Sequence, residues 1–214
     1  MGALLMANGE YGAMEWYEKK MGEFDVVFCT DGAAAKAGVL GVIPDVLVGD
    51  MDSILEKDLL DMKKKQVEIY QFPAEKDCTD TFLALELMRD KGIKDVTVWG
   101  GTGGRLDHTM ANVFACISFV REGMSIVFSE AGLNISIVGN ELKIAGDPGD
   151  TVSIFPLGEE RAQVSLSGFK YPLEKSLLKQ EFPIGISNVL NSCEGRVFTE
   201  SGMLAVFHYI NGDC

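Results

Sequence analysis

Over the first 130 residues, short apolar runs alternate with stretches of helical spacing, and beyond them that rhythm stops. The runs at 3–7, 24–29 and 46–48 read as buried strands, and those at 67–72, 95–99 and 124–128 as further strands. Between them, 12–21, 33–37, 54–65, 78–89 and a segment marked by Met110, Val113, Phe114 and Ile117 read as helices. Strands alternating with helices of this length predict a largely parallel sheet. After about residue 130 only β-rich runs remain, at 135–138, 142–144, 151–155, 162–166, 186–190, 196–198 and 204–209. Turn signals such as Gly146-Asp147-Pro148-Gly149-Asp150 punctuate them, and 173–182 reads as a loop or a poor helix. The expected architecture is an α/β N-terminal domain over 1–130 and an all-β domain, a small sandwich or barrel, over 131–214.

In a parallel sheet all strand C-termini share one edge, and ligands bind there. Four turns of this chain converge on that edge: Asp31-Gly32, Asp50-Met51-Asp52, Lys76 to Asp80, and the glycine-rich stretch 100–108. If 50–52 stays extended, Asp50 and Asp52 face the same way, and each raises the other's pKa unless a cation lies between them. Hard carboxylate oxygens at a strand end suit Mg²⁺, which binds one or two carboxylates together with substrate phosphates. Ser53-Ile54-Leu55-Glu56 fits a capping box, so a helix should start at once, with Leu55, Leu59 and Met62 inward. Asp77 is expected as the N-cap of the next helix, with Asp80 on the same face of its first turn. The glycines before Arg105 would let backbone N–H groups approach phosphate, and the Arg105 fork suits bidentate binding. The stretch is neither a P-loop nor a dinucleotide fingerprint.

Each feature also has a bland explanation. Asp-rich turns occur because Asp caps helices, a glycine loop is sometimes only a turn, Arg105 is a charge that water can solvate, and His108 caps or packs equally well. His208, in an apolar run, reads as structural. Net charge decides more. With 19 Lys and Arg against 32 Asp and Glu it is −13. That opposes nucleic-acid and anionic-membrane binding but allows a small phosphate ligand held through Mg²⁺. No apolar run approaches a membrane span, and the apolar start 1–7 lacks a basic flank. Five cysteines without C-x-x-C spacing fit reduced thiols in a cytoplasm, with Cys29 and Cys116 as core residues.

Taken together, Asp-Gly-Ala at 31–33, Pro-Asp-x-x-x-Gly-Asp-x-Asp-Ser at 44–53, Lys-Asp-x-Thr-Asp at 76–80 and Gly-Gly-Arg-x-Asp-His at 103–108 resemble the motif set of the thiamine pyrophosphokinase family. Gly168 to Leu173 and Gly185-Ile186-Ser187-Asn188 extend the resemblance into the second half. Ala33 departs from it, since a second glycine is expected there in many relatives. The resemblance implies an α/β catalytic domain that binds nucleotide and metal, followed by a β-sandwich for thiamine binding and dimerisation. It implies a homodimer with sites between subunits, and the reaction of ATP with thiamine to give AMP and thiamine diphosphate. By the same resemblance Asp50, Asp52 and Asp80 would hold Mg²⁺ with Asp31 nearby. Lys76, Asp77, Thr79, Arg105 and His108 would face ATP, and Asp107, Ser187 and Asn188 would face thiamine. Asp107 and Asp31 are both candidates for the base, and Phe198, Phe207 and Tyr209 for an aromatic stacked on thiamine.

Three rivals differ in what they leave unexplained. A hydroxymethylpterin acceptor keeps the chemistry but not the C-terminal motifs. An Asp-x-Asp glycosyltransferase leaves Lys76 to Asp80 and the Arg105 loop without a role. A non-catalytic sensor does not need so many carboxylates around one phosphate chain.

Overall fold

The computed structural model describes residues 2–75 and 77–211. The chain divides into two compact units, Met1–Ala115 and Cys116–Cys214. The division falls within one helix, α5 (Leu106–Arg121).

The first unit carries β1 (Ala3–Met6), β2 (Val26–Thr30), β3 (Val46–Gly49), β4 (Glu68–Gln71) and β5 (Asp95–Trp99). They lie in the order β5-β1-β2-β3-β4, and every neighbouring pair is parallel. The chain runs outward from β1 to β4 and then returns to the other side of β1, so the order reverses there. Helices α1 (Met14–Lys20), α2 (Ala34–Val39) and α3 (Glu56–Lys64) contribute Tyr17, Ala34, Ala37 and Met62 to a core with Leu4, Met6, Cys29, Leu47 and Trp99. Trp99 is fully buried and meets Tyr17 and Phe24 edge-on at 5.0 and 5.2 Å. Helix α4 (Asp80–Asp90) packs on β2 and β3. The most apolar of the strand runs, those of β1, β2 and β3, are buried on both faces, whereas β4 lies at the sheet's edge with no buried residue.

Several local expectations fail for identifiable reasons. Ser53 makes no capping box. Its hydroxyl donates to Asp52 Oδ1 at 2.9 Å, and α3 starts at Glu56 behind Leu55, which is exposed rather than inward. Thr79, not Asp77, caps α4: its Oγ1 accepts the Phe82 N–H at 3.2 Å, and Asp77 stays exposed outside the helix. On α5 the buried residues include Val113, Cys116 and Phe119, whereas Met110 and Phe114 are exposed. The periodicity marked the helix, but of the residues that mark it only Val113 is buried.

The second unit is all-β after α5. Strands β6 (Ser125–Glu130), β7 (Leu133–Val138), β9 (Thr151–Pro156), β12 (Asn188–Val189) and β14 (Leu204–Tyr209) lie in the order β12-β9-β14-β7-β6. A second sheet runs β11-β10-β13-β8, from β8 (Glu141–Ala145), β10 (Arg161–Ser167), β11 (Leu173–Lys179) and β13 (Glu194–Ser201). All these pairings are antiparallel. Val152, Ile154, Leu204 and Val206 of one sheet and Val164, Leu166, Leu178 and Val197 of the other share one core, as in a sandwich. The stretch 173–182, read as loop or helix, supplies β11: pairing with β10 overrides its mixed composition. The run 186–190 shrinks to a two-residue strand. His208 lies buried with Nε2 2.9 Å from Oδ2 of Asp150, a structural pair.

Candidate active site

The carboxyl edge of the first unit's sheet is built around Asp31, which is only 3% exposed. Its Oδ1 accepts the Gly32 N–H at 2.6 Å and its Oδ2 accepts the Met51 N–H at 2.9 Å. The second bond reaches across to the loop after β3 and holds Met51 in the left-handed region, at φ 68°. The segment 50–52 is therefore a turn, not the extended piece expected, and the Asp52 N–H closes it on Asp50 Oδ1 at 3.1 Å. The turn achieves what strand alternation was expected to do. Asp31, Asp50 and Asp52 each present an oxygen within 4.8 Å of the others. Gly49 is required beneath it, since a Cβ there would fall 2.7 Å from Asp31 Oδ1. Burial raises the Asp31 pKa, the Gly32 N–H works against that, and the Asp80 and Asp50 carboxylates push it further up.

These three residues fit a hard divalent cation. Oxygens around one Mg²⁺ at ~2.1 Å lie at most about 4.2 Å apart, so modest side-chain rotations bring the trio to ligand distances. Asp80, expected as a ligand, is not in the trio. It opens α4, is half-buried, and lines the same cleft.

That cleft has a volume of about 590 Å³ and is lined by Asp31, Asp50, Thr79, Asp80, Arg105 and His108 among the expected residues. Its opposite wall is a stitched pair of loops. Beyond β1 and β5 the backbone continues to pair: Ala7 N–H to Trp99 O at 2.8 Å, Gly9 N–H to Gly100 O at 2.7 Å, and Glu10 N–H to Thr102 O at 3.2 Å. Tyr11 covers the join, its hydroxyl donating to Ala7 O at 3.2 Å. Gly100, Gly103 and Gly104 all have positive φ, and a Cβ on Gly103 would fall 2.8 Å from that of Glu10. The guanidinium of Arg105 forks onto Asp107, with Nε 3.2 Å from Oδ1 and Nη2 bonded to Oδ2. These bonds hold the exposed Asp107 carboxyl below its usual range and raise Arg105.

The structure thus brings together Asp31, Asp50, Asp52, Asp80, Thr79, Arg105, Asp107 and His108, and leaves Asp77 exposed just before the cap. Lys76 lies outside the described residues. Ser187 and Asn188 belong to the second unit. Ser187 has φ 56° and its N–H donates to Ser153 Oγ at 3.0 Å. Asn188 is buried, its Oδ1 accepting from the Tyr171 N–H at 3.0 Å and its Nδ2 donating to Tyr171 O at 2.8 Å. This amide ties the 168–173 motif to the 185–188 motif.

Sequence reasoning missed several polar residues of the cleft, Asn8, Glu10, Thr30 and Asn112 among them. Asn112 was detectable as a lone amide in an apolar helix, four residues after His108; its Nδ2 donates to Gly101 O at 2.8 Å and steadies the glycine loop. Asn8-Gly9 read only as the end of a strand.

An open parallel sheet with an acidic cleft at its carboxyl edge, followed by an antiparallel sandwich, defines a two-unit α/β-plus-β protein. The sequence matches the family description "Thiamin pyrophosphokinase, catalytic domain" over residues 17–128 and "Thiamin pyrophosphokinase, vitamin B1 binding domain" over 140–204. It is 31% identical over 166 residues to the thiamine pyrophosphokinase of Bacillus subtilis (strain 168), covering 77% of this chain and 78% of that one. The crystal structure of thiamine pyrophosphokinase from Bacillus subtilis superposes with a TM-score of 0.85 at 26% identity, over 99% of this chain and all of that one. The structure of thiamin pyrophosphokinase from Candida albicans shares the fold, with a TM-score of 0.76 at 15% identity over 98% of this chain and 89% of that one. This chain belongs to the thiamine pyrophosphokinase family.

Proposed function

We propose that this chain is a Mg²⁺-dependent thiamine pyrophosphokinase, moving the pyrophosphoryl group of ATP to the hydroxyl of thiamine. One observation supports the phosphate chemistry most strongly. The cleft is lined by Glu10, Asp31, Asp50 and Asp80, and the guanidinium of Arg105 beside them is shared with Asp107. A site so acidic accepts a triphosphate only with divalent cations, and oxygen ligands at a strand edge suit Mg²⁺.

In this reading Asp50 and Asp52, with Asp31 or Asp80, hold the cation. Bound there, Mg²⁺ supplies charge neutralisation at the phosphate oxygens. Thr79, Asp77, His108 and Lys76 face the nucleotide, and Arg105 serves its phosphates by turning from Asp107. Asp107 then becomes available to the cationic ring of thiamine. The thiamine hydroxyl oxygen bonds to the β-phosphorus while its proton passes to a carboxylate base, and the bond from that phosphorus to the α,β-bridging oxygen breaks, so that AMP leaves. Positioning in line is the protein's main contribution. Of the two carboxylates considered as base, Asp107 is the weaker while Arg105 holds it. Residues 1–130 are assigned the nucleotide and metal, and 131–214 thiamine and dimerisation, with Ser187 and Asn188 at the thiamine side. The homodimer and a cytoplasmic location are part of the same reading; no described helix is long and apolar enough to cross a membrane.

Purified protein given ATP and Mg²⁺ should release AMP only when thiamine is added. ADP as the product, or AMP release indifferent to thiamine, refutes the assignment.

A further inference from the structure

Asn8 sits where no motif pointed. The parallel register pairs Met6 with Cys29; carried two residues further along both chains, it brings Asn8 level with Asp31. Asn8 is exposed, lines the cleft, and among the described residues its carboxamide makes no hydrogen bond. Other amides here are committed to the fold. Asn112 holds Gly101, Asn188 holds Tyr171, and Asn211 holds Gly149.

The Asn8 side chain lies directly on Gly32. A Cβ built on Gly32 would fall 2.6 Å from Asn8 Cγ and overlap its amide nitrogen. Gly32 belongs to the right-handed 3₁₀ turn Asp31–Ala33, a backbone conformation open to any residue. Glycine is therefore needed there for space, and the space is filled by the Asn8 carboxamide. A free neutral N–H₂ group lying on Gly32, in a cleft that carries the carboxylates of Glu10, Asp31, Asp50 and Asp80, is a donor suited to an oxyanion.

We propose that Asn8 is a substrate-binding residue whose carboxamide donates a hydrogen bond to the polyphosphate of the nucleotide, and that Gly32 keeps its place open. The proposal rests on the pyrophosphokinase reading for the identity of the nucleotide's reaction, not for its binding. A hydrogen bond to a charged acceptor, once lost, weakens binding by roughly 10- to 100-fold.

The test compares Asn8→Ala, Asn8→Asp, Gly32→Ala and the double variant Asn8→Ala/Gly32→Ala with wild type, after melting curves have shown each to be folded. Asn8→Ala should raise KM for MgATP about 10-fold or more while KM for thiamine moves less than about twofold. Asn8→Asp keeps the shape but adds a negative charge, so it should be worse than Asn8→Ala for MgATP. A purely structural role predicts the reverse order. Gly32→Ala should impair MgATP binding in the Asn8 background and add little to Asn8→Ala, because both act on one group. Wild-type KM for MgATP in both Asn8 variants, or a defect confined to thiamine, overturns the proposal. If the wild type shows no thiamine-dependent turnover, the family reaction is wrong for this chain, and calorimetry with MgATP still decides about Asn8. Weaker binding in both variants upholds its role, and unchanged binding removes it.

Discussion

Gly49 and Asp31 are packed so closely that neither can change alone. A methyl on Gly49 would fall 2.7 Å from Asp31 Oδ1 and push the carboxylate off the Met51 N–H. Gly49→Ala should therefore cost about 1–3 kcal/mol of stability through overpacking, seen in urea unfolding, and should lower turnover because the Asp50–Asp52 turn loses its anchor. Asp52→Ala keeps that anchor and should instead remove activity, with kcat down about 100-fold or more if the carboxylate helps hold the cation that neutralises the phosphates, and with an unchanged melting curve. Asp150, in the second unit, makes a contrasting case. Burial raises its pKa, but the Asn211 N–H, His208 and the Asp147 N–H outweigh that and leave it below the usual carboxylate value. Its folded pKa thus lies under its unfolded one. The stabilisation is complete above the unfolded value, near pH 4, and is lost as pH falls through the folded value. Asp150→Asn should cost roughly 2–3 kcal/mol at neutral pH and flatten the acid limb of a stability-against-pH curve. At this scale the acidic residues were legible because their chemistry is in their identity. The Asp31-to-Met51 bond and the Asn8 position were not, since both join segments that are remote in sequence.

Elements follow from pattern where burial is symmetric and escape it where context decides. The central strands β1, β2, β3 and β5 are buried on both faces, so plain apolar runs betrayed them. Strand β11 has the burial pattern of an edge strand, with a single buried residue, Leu178, and no alternation to read. Cap chemistry misled twice, because Ser, Thr and Asp are interchangeable as candidates until the loop path is known. Thr79 has a dual place, capping α4 and lining the cleft. Thr79→Ala should cost about 1 kcal/mol as a lost N-cap, a small shift in melting temperature, while Thr79→Ser restores the cap and the stability.

For the whole molecule, the order of strands explains why the site is where it is. Turns after β2 and β3, the start of α4 and the paired loops after β1 and β5 all come from one edge of one sheet; sequence alternation was enough to forecast the convergence of all but the loop after β1. Assembly is less legible, since an exposed apolar face and a core face share the same spacing. On α5, Leu106, Met110 and Phe114 repeat every four residues and are 73%, 49% and 48% exposed, a stripe that fits the proposed homodimer. Light scattering should then report twice the chain mass, and Phe114→Glu should shift it toward the monomer. Pyrophosphoryl transfer breaks the bond between the β-phosphorus and the α,β-bridging oxygen, and γ-³²P-labelled ATP shows whether that is the bond that breaks. With thiamine and Mg²⁺, the label should appear in thiamine diphosphate while AMP stays unlabelled, and chelation by EDTA should stop both. Label in thiamine monophosphate, with ADP as the partner product, would contradict pyrophosphoryl transfer.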